Sequence, residues 1–262
     1  MASEQLHVVE QGAGPAVLLI HGMAGTGQTH FAPLFDQLTS IGHHLVVPDL
    51  RGHGGSRVLR PHAGAGLFAA YVDDLLGLIE QRGLASCHLI GYSDGGEIAL
   101  QLAARLGLRA SSLCIWGASG RVPPPAVVAL YADPERRIAD WPRMRAELLT
   151  LHGPGGPDLL RIWAAAMVEL SAQGELVDGG AAGRVICPTL IISGDCDPFN
   201  PIGAVRELAG RILGARLLEL SGAGHDLLSE RRPQLIAVLR RFLSTLPLAS
   251  SPAPSKGRGE GH

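Results

Sequence analysis

Short apolar runs of strand length alternate along this chain with segments whose apolar residues recur at helical spacing. Strands are predicted at 6–12, 15–22, 44–54, 111–117, 189–194, 215–222 and in the run that begins at Cys87, and helices at 68–84, 97–107 and 233–246. Helices between strands act as crossover connections, which bring the strands side by side in a mostly parallel sheet. The alternation therefore predicts an α/β fold with helices flanking a central sheet.

The stretch from about 121 to 184 interrupts this alternation, because it has no good strand pattern and holds prolines, tryptophans and helical segments. We interpret it as a helical cap inserted after the sixth core strand, above a core made of 1–120 and 185–246. The chain has 262 residues, 46% of them hydrophobic, which is enough for one large core. The segment 247–262 is rich in Ser, Pro and Gly and is predicted to be disordered.

The composition excludes several classes of function. The formal net charge is −2 and no basic stripe is visible, so no nucleic-acid partner is predicted. The apolar runs are too short to cross a bilayer and the first residues lack the pattern of a secretory signal, which predicts a cytoplasmic protein without a membrane partner. The four cysteines show no metal-binding spacing. Lysine occurs once, at Lys256, against many arginines, a bias typical of GC-rich bacterial genomes.

The segment GYSDGG at 91–96 places a serine between a predicted strand and a predicted helix. It fits the pattern G-x-S-x-G, in which the flanking glycines let neighbouring backbone pass close to a very tight turn. The turn would hold the Ser93 hydroxyl at the helix N-terminus, where the backbone N–H of Asp94 can point at a developing oxyanion. Ser93 is therefore the candidate nucleophile.

A nucleophilic serine needs a base, and the base needs an orienting acid. Asp197 follows the predicted strand 189–194 and His225 follows the strand 215–222, so all three candidates lie at the carboxyl ends of strands. The carboxyl ends of parallel strands meet at one edge of a sheet, which predicts a single site. Asp195 competes with Asp197 for the role of the acid and is otherwise expected to stabilise a turn.

A second oxyanion donor is expected from the loop after the early strand, and the backbone N–H of Met23 is the candidate. His21 is expected to brace this loop by hydrogen bonding. Structural roles are predicted for other polar residues: a loop position for His53, solvated positions for His43, His44 and His152, an exposed or paired position for Glu97, a helix start for Asp226, and loop stabilisation by Asp49 and Arg51.

The segments HGMAG, DLRGHGGS, GYSDGG, GDCDPF and GAGHD together resemble the α/β-hydrolase superfamily. The chain is similar in more detail to the valacyclovir hydrolase (biphenyl hydrolase-like) family, in HGMAGTGQTHFAPLFDQL, CIWGASG, DWPRMRAELLTLHG and ICPTLIISGDCDPFNP. The resemblance implies hydrolysis of esters whose acyl part is an α-amino acid. It also implies that Asp94, directly after the nucleophile, holds the substrate ammonium group. The chain departs from the family at Tyr92, where the family often has Trp, and in the segment GHDLLSE.

From the residues alone, two interpretations of Asp94 stay open. Its side chain faces the pocket and pairs with a substrate cation, or it only complements the dipole of the helix that it begins. The cap supplies Trp141, Trp163 and Met167 as candidate substrate-binding residues, and the last two are four positions apart on one helical face. The alternative is that these side chains only pack the cap onto the core.

Together these patterns predict a serine hydrolase that cleaves a small-molecule carboxylic ester through an acyl-enzyme. No metal and no organic cofactor are predicted. Three alternatives stay open: hydrolysis of a carbon–carbon bond on the same triad, acyl transfer to a nucleophile other than water, and ligand binding without catalysis. The sequence makes no prediction of the oligomeric state.

Overall fold

A computed structural model of the protein describes residues 5–174 and 176–246. The segment 247–262, predicted to be disordered, lies outside these residues. Seven strands are present: β1 (Val8–Gly12), β2 (Ala16–Ile20), β3 (His44–Pro48), β4 (Cys87–Tyr92), β5 (Ala110–Trp116), β6 (Thr189–Gly194) and β7 (Arg216–Leu220). The helices are α1 (Gly27–Thr39), α2 (Leu67–Gln81), α3 (Asp94–Leu106), α4 (Pro125–Tyr131), α5 (Pro134–Asp140), α6 (Pro142–His152), α7 (Gly156–Gln173), α8 (Ile202–Arg211), α9 (Leu227–Glu230) and α10 (Arg232–Ser244).

The strands form one sheet in the order β1-β3-β2-β4-β5-β6-β7, in which only the β1–β3 pair is antiparallel. Every residue of β2, AVLLI, is buried, because helices cover both faces of a parallel sheet. The edge strand β1 is half exposed, as its mixed sequence requires. The predicted α/β fold with a mostly parallel sheet is confirmed.

Two apolar clusters fill the space between the sheet and its two helix layers. One cluster joins one face of the sheet to α2, α3, α7 and α8, and the other joins the opposite face to α1, α9 and α10. Residues within a strand alternate between the clusters, so that Leu18 faces the first and Leu19 the second. The sheet is therefore held from both sides, and its carboxyl edge is left to carry loops.

Helices α4 to α7 lie between β5 and β6. They follow the fifth strand in chain order, not the sixth as predicted, because β1 to β5 are the strands that precede α4 in the described residues. Buried side chains of α7, including Leu160 and Met167, belong to the cluster that also holds α2 and α3. We call α4–α7 the cap helices. The division into a core of 1–120 and 185–246 and a cap of 121–184 stays a prediction.

No helix in the described ranges is both long enough and apolar enough to cross a bilayer.

Candidate active site

Ser93 lies on the tight turn between β4 and α3. Its backbone has a φ of 57° and a ψ of −127°, in the region that residues with a side chain rarely adopt. The turn is held because the Ser93 N–H donates to the carbonyl of Trp116 at 2.9 Å and its carbonyl accepts from the N–H of Gly96 at 2.7 Å. Such strain costs about 1–3 kcal/mol and persists only where the surroundings impose it. Here it lifts the hydroxyl away from the sheet.

Two glycines allow this turn to form between closely packed backbone segments. A Cβ on Gly91 would collide with the carbonyl of Gly95, and a Cβ on Gly95 would collide with the carbonyl of Ile20. Neither clash could be relieved by rotating a side chain, because the opposing atoms belong to the backbone. The glycines predicted to flank the serine are thus needed for the close approach of α3 to β4 and β2.

The structure brings Ser93, His225 and Asp197 together, although they come from three separate strand ends. The Ser93 Oγ lies 3.0 Å from His225 Nε2, and His225 Nδ1 lies 2.8 Å from Asp197 Oδ2. A carboxylate only accepts, so Nδ1 carries a proton and Nε2 is free to accept from the serine hydroxyl. The geometry is that of a nucleophile, a base and an orienting acid. The catalytic roles themselves stay predictions.

Asp197 is fixed as a carboxylate by its surroundings. Burial acts to raise its pKa, but the hydrogen bond and charge of His225 and the N–H groups of Phe199 and Asn200 outweigh it, so the pKa lies below its usual value. Asp195 is exposed and accepts from the N–H of Gly222 at 2.7 Å, which joins the loop after β6 to the turn after β7. The structure therefore places Asp197, and not Asp195, against the imidazole.

Asn200 was not singled out in the sequence, yet it anchors the acid. Its Nδ2 donates to the carbonyl of Gly117 at 2.9 Å and approaches Asp197 Oδ2 at 3.3 Å. This links the loop after β6 to the end of β5. The rings of Phe199 and Tyr92 flank His225, with centroids 4.9 Å and 5.3 Å from the imidazole. The only sequence signal was the position of Asn200, three residues after the candidate acid.

The loop at 21–25 runs beside the serine, because a Cβ on Gly22 would lie 2.8 Å from Ser93 Cβ. His21 braces it, as predicted: its Nδ1–H donates to the carbonyl of Gly22 at 2.8 Å, and its Nε2 accepts from the N–H of Leu50 at 2.9 Å. Burial lowers the pKa of His21 to about 3, so the ring stays neutral. Met23 lines the cavity described below, and the amides of Met23 and Asp94 stay predicted oxyanion donors.

Further contacts fix the end of this loop where α1 begins. The Thr26 hydroxyl accepts from the N–H of Thr29 at 3.1 Å, and the Thr29 hydroxyl accepts from the N–H of Thr26 at 2.9 Å, a reciprocal cap. Asp49 accepts from the N–H groups of Gly27 and Gly55, at 2.9 Å and 2.8 Å, and so joins the loops after β2 and β3. The predicted stabilising role of Asp49 is confirmed.

His152 connects the cap helices to the same loop. Its Nδ1 accepts from the N–H of Gly54 at 3.0 Å, and its Nε2–H donates to the carbonyl of Ala24 at 2.9 Å. The solvated positions predicted for His152 and His43 are wrong, since both residues are buried. The reason is that each ring finds backbone partners from a distant segment, which no local pattern reveals. His53 lies in a loop, as predicted, and it is buried there.

A cavity of about 200 Å³ opens above Ser93 and His225. Trp163 and Met167 line it, as predicted, together with Met144 near the start of α6. Trp141 is not among the lining residues. Trp141 is 42% exposed, and the Arg137 guanidinium lies 4.3 Å above its ring. The substrate-binding role predicted for Trp141 therefore lacks a contact that could perform it, because the residue precedes α6 at an exposed position.

Two acidic side chains of α3 also line the cavity. Burial raises the pKa of Asp94 to about 6, against the opposing effects of the Trp163 indole N–H and the charge of His225. The Trp163 Nε1 is buried and has no hydrogen-bond partner, so its dipole acts on Asp94 without a closed hydrogen bond. Because Asp94 lines the cavity, its carboxyl group is in position to contact a ligand, and its substrate-binding role stays a prediction.

Glu97 was expected to be exposed or paired on the helix surface, and this is wrong. It is 5% exposed, and its Oε1 accepts from the N–H groups of Ser119 and Gly120 at 2.9 Å and 2.8 Å. Its Oε2 is buried and has no hydrogen-bond partner in the part of the chain that the structure describes. Burial raises the pKa of Glu97 to about 8, with further raising by Asp178 and Asp94 against the two backbone donors. The sequence around Glu97 does not reveal its burial, because its two hydrogen-bond donors come from the loop after β5.

Within residues 5–174 and 176–246, no three histidine, cysteine or acidic side chains are grouped so that they could hold a metal ion.

Comparisons with known proteins place this geometry in a wider group. The sequence profile of the alpha/beta hydrolase family matches residues 17–238. The human serine hydrolase BPHL is 31% identical over 230 residues, which cover 85% of this chain and 77% of that protein. The pimeloyl-[acyl-carrier protein] methyl ester esterase of Chromobacterium violaceum is 29% identical over 261 residues, which cover 92% of this chain and 98% of that protein.

Among solved structures, the enol-lactonase of Burkholderia xenovorans superposes with a TM-score of 0.74 at 23% identity, covering 91% of this chain and 96% of that one. The meta-cleavage product hydrolase CumD of Pseudomonas fluorescens gives a TM-score of 0.75 at 19% identity, covering 91% of this chain and 94% of that one. At these identities the likeness establishes a shared fold and nothing about the substrate.

Proposed function

The chain belongs to the alpha/beta hydrolase family and is a relative of the serine hydrolase BPHL, and from this premise we propose that it hydrolyses carboxylic esters through an acyl-enzyme on Ser93. The observation that carries the proposal is the unbroken hydrogen-bonded series from Asp197 through His225 to Ser93 at the floor of the cavity. The ester named for the Chromobacterium violaceum relative supports the same reaction class.

The first half-reaction forms the acyl-enzyme. The Ser93 Oγ attacks the ester carbonyl carbon while its proton passes to His225 Nε2, and Asp197 stabilises the imidazolium through the Nδ1–H. The carbonyl oxygen becomes an oxyanion that accepts hydrogen bonds from the backbone N–H groups of Met23 and Asp94, which donate without having to reorganise. The bond to the leaving oxygen then breaks, and the proton on Nε2 passes to that oxygen to release the alcohol.

The second half-reaction restores the enzyme. Water gives a proton to His225 Nε2 as its oxygen attacks the acyl carbon. The bond to Ser93 then breaks, the serine oxygen takes the proton back from Nε2, and the carboxylic acid leaves. Aromatic rings flank the imidazole and the cap helices cover the cavity, so the reacting groups work in a site of reduced water content.

We further infer that the acyl part carries an α-ammonium group, which pairs with Asp94. The Asp94 carboxyl group lines a largely apolar cavity, and burial there raises its pKa to about 6. An ammonium group on the substrate would stabilise the ionised form of Asp94 in these surroundings. In an α-amino acid ester the ammonium nitrogen is two bonds from the carbonyl carbon. Pairing the ammonium with the residue next to Ser93 therefore holds that carbon over the Ser93 hydroxyl.

The test is a pair of p-nitrophenyl esters of equal length, norvalyl with a free α-amino group and pentanoyl without one. We expect the wild type to prefer the norvalyl ester, and Ser93→Ala to lower kcat on both by about 10⁴-fold or more. Asp94→Asn should cost about 10- to 100-fold in kcat/KM on the norvalyl ester, the range expected for a charged hydrogen bond, and far less on the pentanoyl ester.

Each part of the proposal can fail separately. An equal loss on both esters in Asp94→Asn would reject the ammonium pairing but leave the ester hydrolase in place. Undiminished turnover in Ser93→Ala would reject the serine mechanism. Rapid cleavage of a vinylogous diketone with inert esters would favour carbon–carbon bond hydrolysis, and tight binding without turnover would favour a ligand-binding role.

A further inference from the structure

We propose that the free Oε2 of Glu97 is a second recognition point in the cavity, which selects acyl groups whose side chain carries an uncharged hydrogen-bond acceptor such as a carboxamide. This inference rests on the proposed ester hydrolase and deepens it, because it names a substrate class. It stands on three observations: Glu97 lines the cavity, it is almost completely buried, and its Oε2 has no hydrogen-bond partner among the described residues.

The two oxygens of Glu97 have different surroundings. Oε1 accepts two backbone N–H groups, from Ser119 and Gly120, and so holds the chain where it leaves β5 for the cap helices. Oε2 has no partner, although buried polar atoms in folded proteins nearly always have one. A glutamine would satisfy the same two N–H groups with its carbonyl oxygen. The structural role therefore does not require an acid, and the second oxygen is left unexplained by the fold.

The position of the proton follows from these contacts. Oε1 is occupied by donors, so a proton on the side chain must sit on Oε2. Asp94 lies three residues earlier on the same helix, a rise of about 4.5 Å, and its negative charge disfavours a second one nearby. The raised pKa of Glu97 agrees with this, and at neutral pH Oε2 is a hydroxyl that needs an acceptor. A neutral acceptor on the ligand meets that need, whereas an ammonium group would first have to displace the proton.

The geometry also sets the length of the acyl side chain. Asp94 takes the α-ammonium group in the proposed function, and Glu97 lies about one helical turn further along α3, close to Arg121 and Val177, where the chain leaves for the cap and returns. Arg121 is already paired with Glu207, so it does not compete for Oε2. A side-chain carbonyl about 5 Å from the α-nitrogen would reach Oε2, and the carboxamide of glutamine spans this distance.

The test compares three benzyl esters of α-amino acids, with the released benzyl alcohol measured by chromatography. Glutaminyl carries the acceptor, homoleucyl has the same shape without polar atoms, and lysyl carries a second cation. We expect the wild type to favour glutaminyl over homoleucyl by about tenfold in kcat/KM, the value of one hydrogen bond in a buried site. Glu97→Gln should keep this ratio, because its amide still donates into the cavity. Glu97→Met should bring the ratio close to one.

A second readout does not depend on turnover. Calorimetry can measure the binding of glutamine amide and homoleucine amide to Ser93→Ala and to the double variant Ser93→Ala/Glu97→Gln. Both variants should bind glutamine amide more tightly than homoleucine amide. Equal affinities for the two amides, or a ratio that survives Glu97→Met, would overturn the inference. A preference for lysyl that disappears in Glu97→Gln would replace it with a cation subsite. If none of the three esters is hydrolysed but glutamine amide binds more tightly than homoleucine amide, the recognition stands and the proposed hydrolysis fails.

Discussion

Asp197 and Glu97 are both buried carboxyl groups near one cavity, Glu97 on its wall and Asp197 behind His225, yet their surroundings differ. Asp197, at the sheet edge, accepts from His225, from the N–H groups of Phe199 and Asn200, and from the Asn200 side chain. Glu97, on α3 beneath the cap helices, has one oxygen with two donors and one oxygen with none. The pKa of Asp197 lies below its usual value, so this group is ionised at neutral pH. The pKa of Glu97 is raised to about 8, so this group is mostly protonated there.

The difference shows on which side of the cavity the polar groups are hydrogen-bonded within the protein and on which side they are not. At the sheet edge, Asp197, His225 and Ser93 are joined by hydrogen bonds within the protein, an arrangement that preorganised catalysis would require. On the side of α3 and α7, Glu97 Oε2 and Trp163 Nε1 have no hydrogen-bond partner among the described residues. Unpaired buried polar atoms cost stability and also occur elsewhere, as at Trp116 Nε1, but these two belong to residues that line the cavity, where a ligand could pair with them.

The largest effect is expected at Asp197, whose carboxylate is hydrogen-bonded within the protein. Asp197→Asn should lower kcat by about 10⁴-fold, because the amide no longer favours the His225 tautomer that accepts from Ser93. Asp195→Asn is the matched control, two residues away, exposed and bonded only to a turn and its own neighbourhood. It should change kcat by less than about threefold. A larger loss in the control than in Asp197→Asn would assign the acid role to Asp195 after all.

The next largest effect is expected at Glu97 and concerns the free energy of unfolding. The pKa of Glu97 is raised in the folded state, so the folded protein holds this proton longer and loses stability as pH rises from about 4.5 to about 8. Glu97→Gln removes this loss. The difference in free energy of unfolding between Glu97→Gln and the wild type, measured by denaturant titration, should shift in favour of the variant by roughly 2–4 kcal/mol from pH 5 to pH 9. A difference that does not vary with pH would mean that Glu97 is not protonated in the fold.

A smaller effect appears in the pH dependence of substrate choice. The pKa of Asp94 is raised to about 6, so its charge, and with it the ammonium pairing, is lost as pH falls below that value. The ratio of kcat/KM for norvalyl over pentanoyl ester should rise about tenfold from pH 5 to pH 7. Titration of groups that serve both esters cancels in this ratio. The ratio should be flat in Asp94→Asn, and a flat ratio in the wild type would count against the pairing.

The smallest effect is expected at the outer surface of the cap helices. Trp141→Ala should change kcat/KM by less than about twofold on either ester, because the ring lies outside the cavity under Arg137. Trp163→Phe is the comparison, since it removes an indole N–H that faces Asp94, and it should shift the midpoint of the norvalyl preference to higher pH. A large loss in Trp141→Ala would place that ring in the substrate path.

Much of the reaction centre was predictable because its signals are local. G-x-S-x-G lies directly at a strand end, and the acid and histidine follow two later strands, so a parallel sheet brings them to one edge without further information. Asn200 could not be found this way, because it acts through the carbonyl of Gly117, which no sequence pattern marks.

The sequence by itself determined the order of the elements and the residue types at the strand ends, because both follow from periodicity and from turns a few residues long. Only the tertiary structure decided which polar groups are paired, and it reversed the expectations for His152, Glu97 and Trp141. Burial is the sum of contacts from segments far apart in the chain. A side chain that looks solvated in its own helix is therefore enclosed or exposed according to what the rest of the fold lays over it.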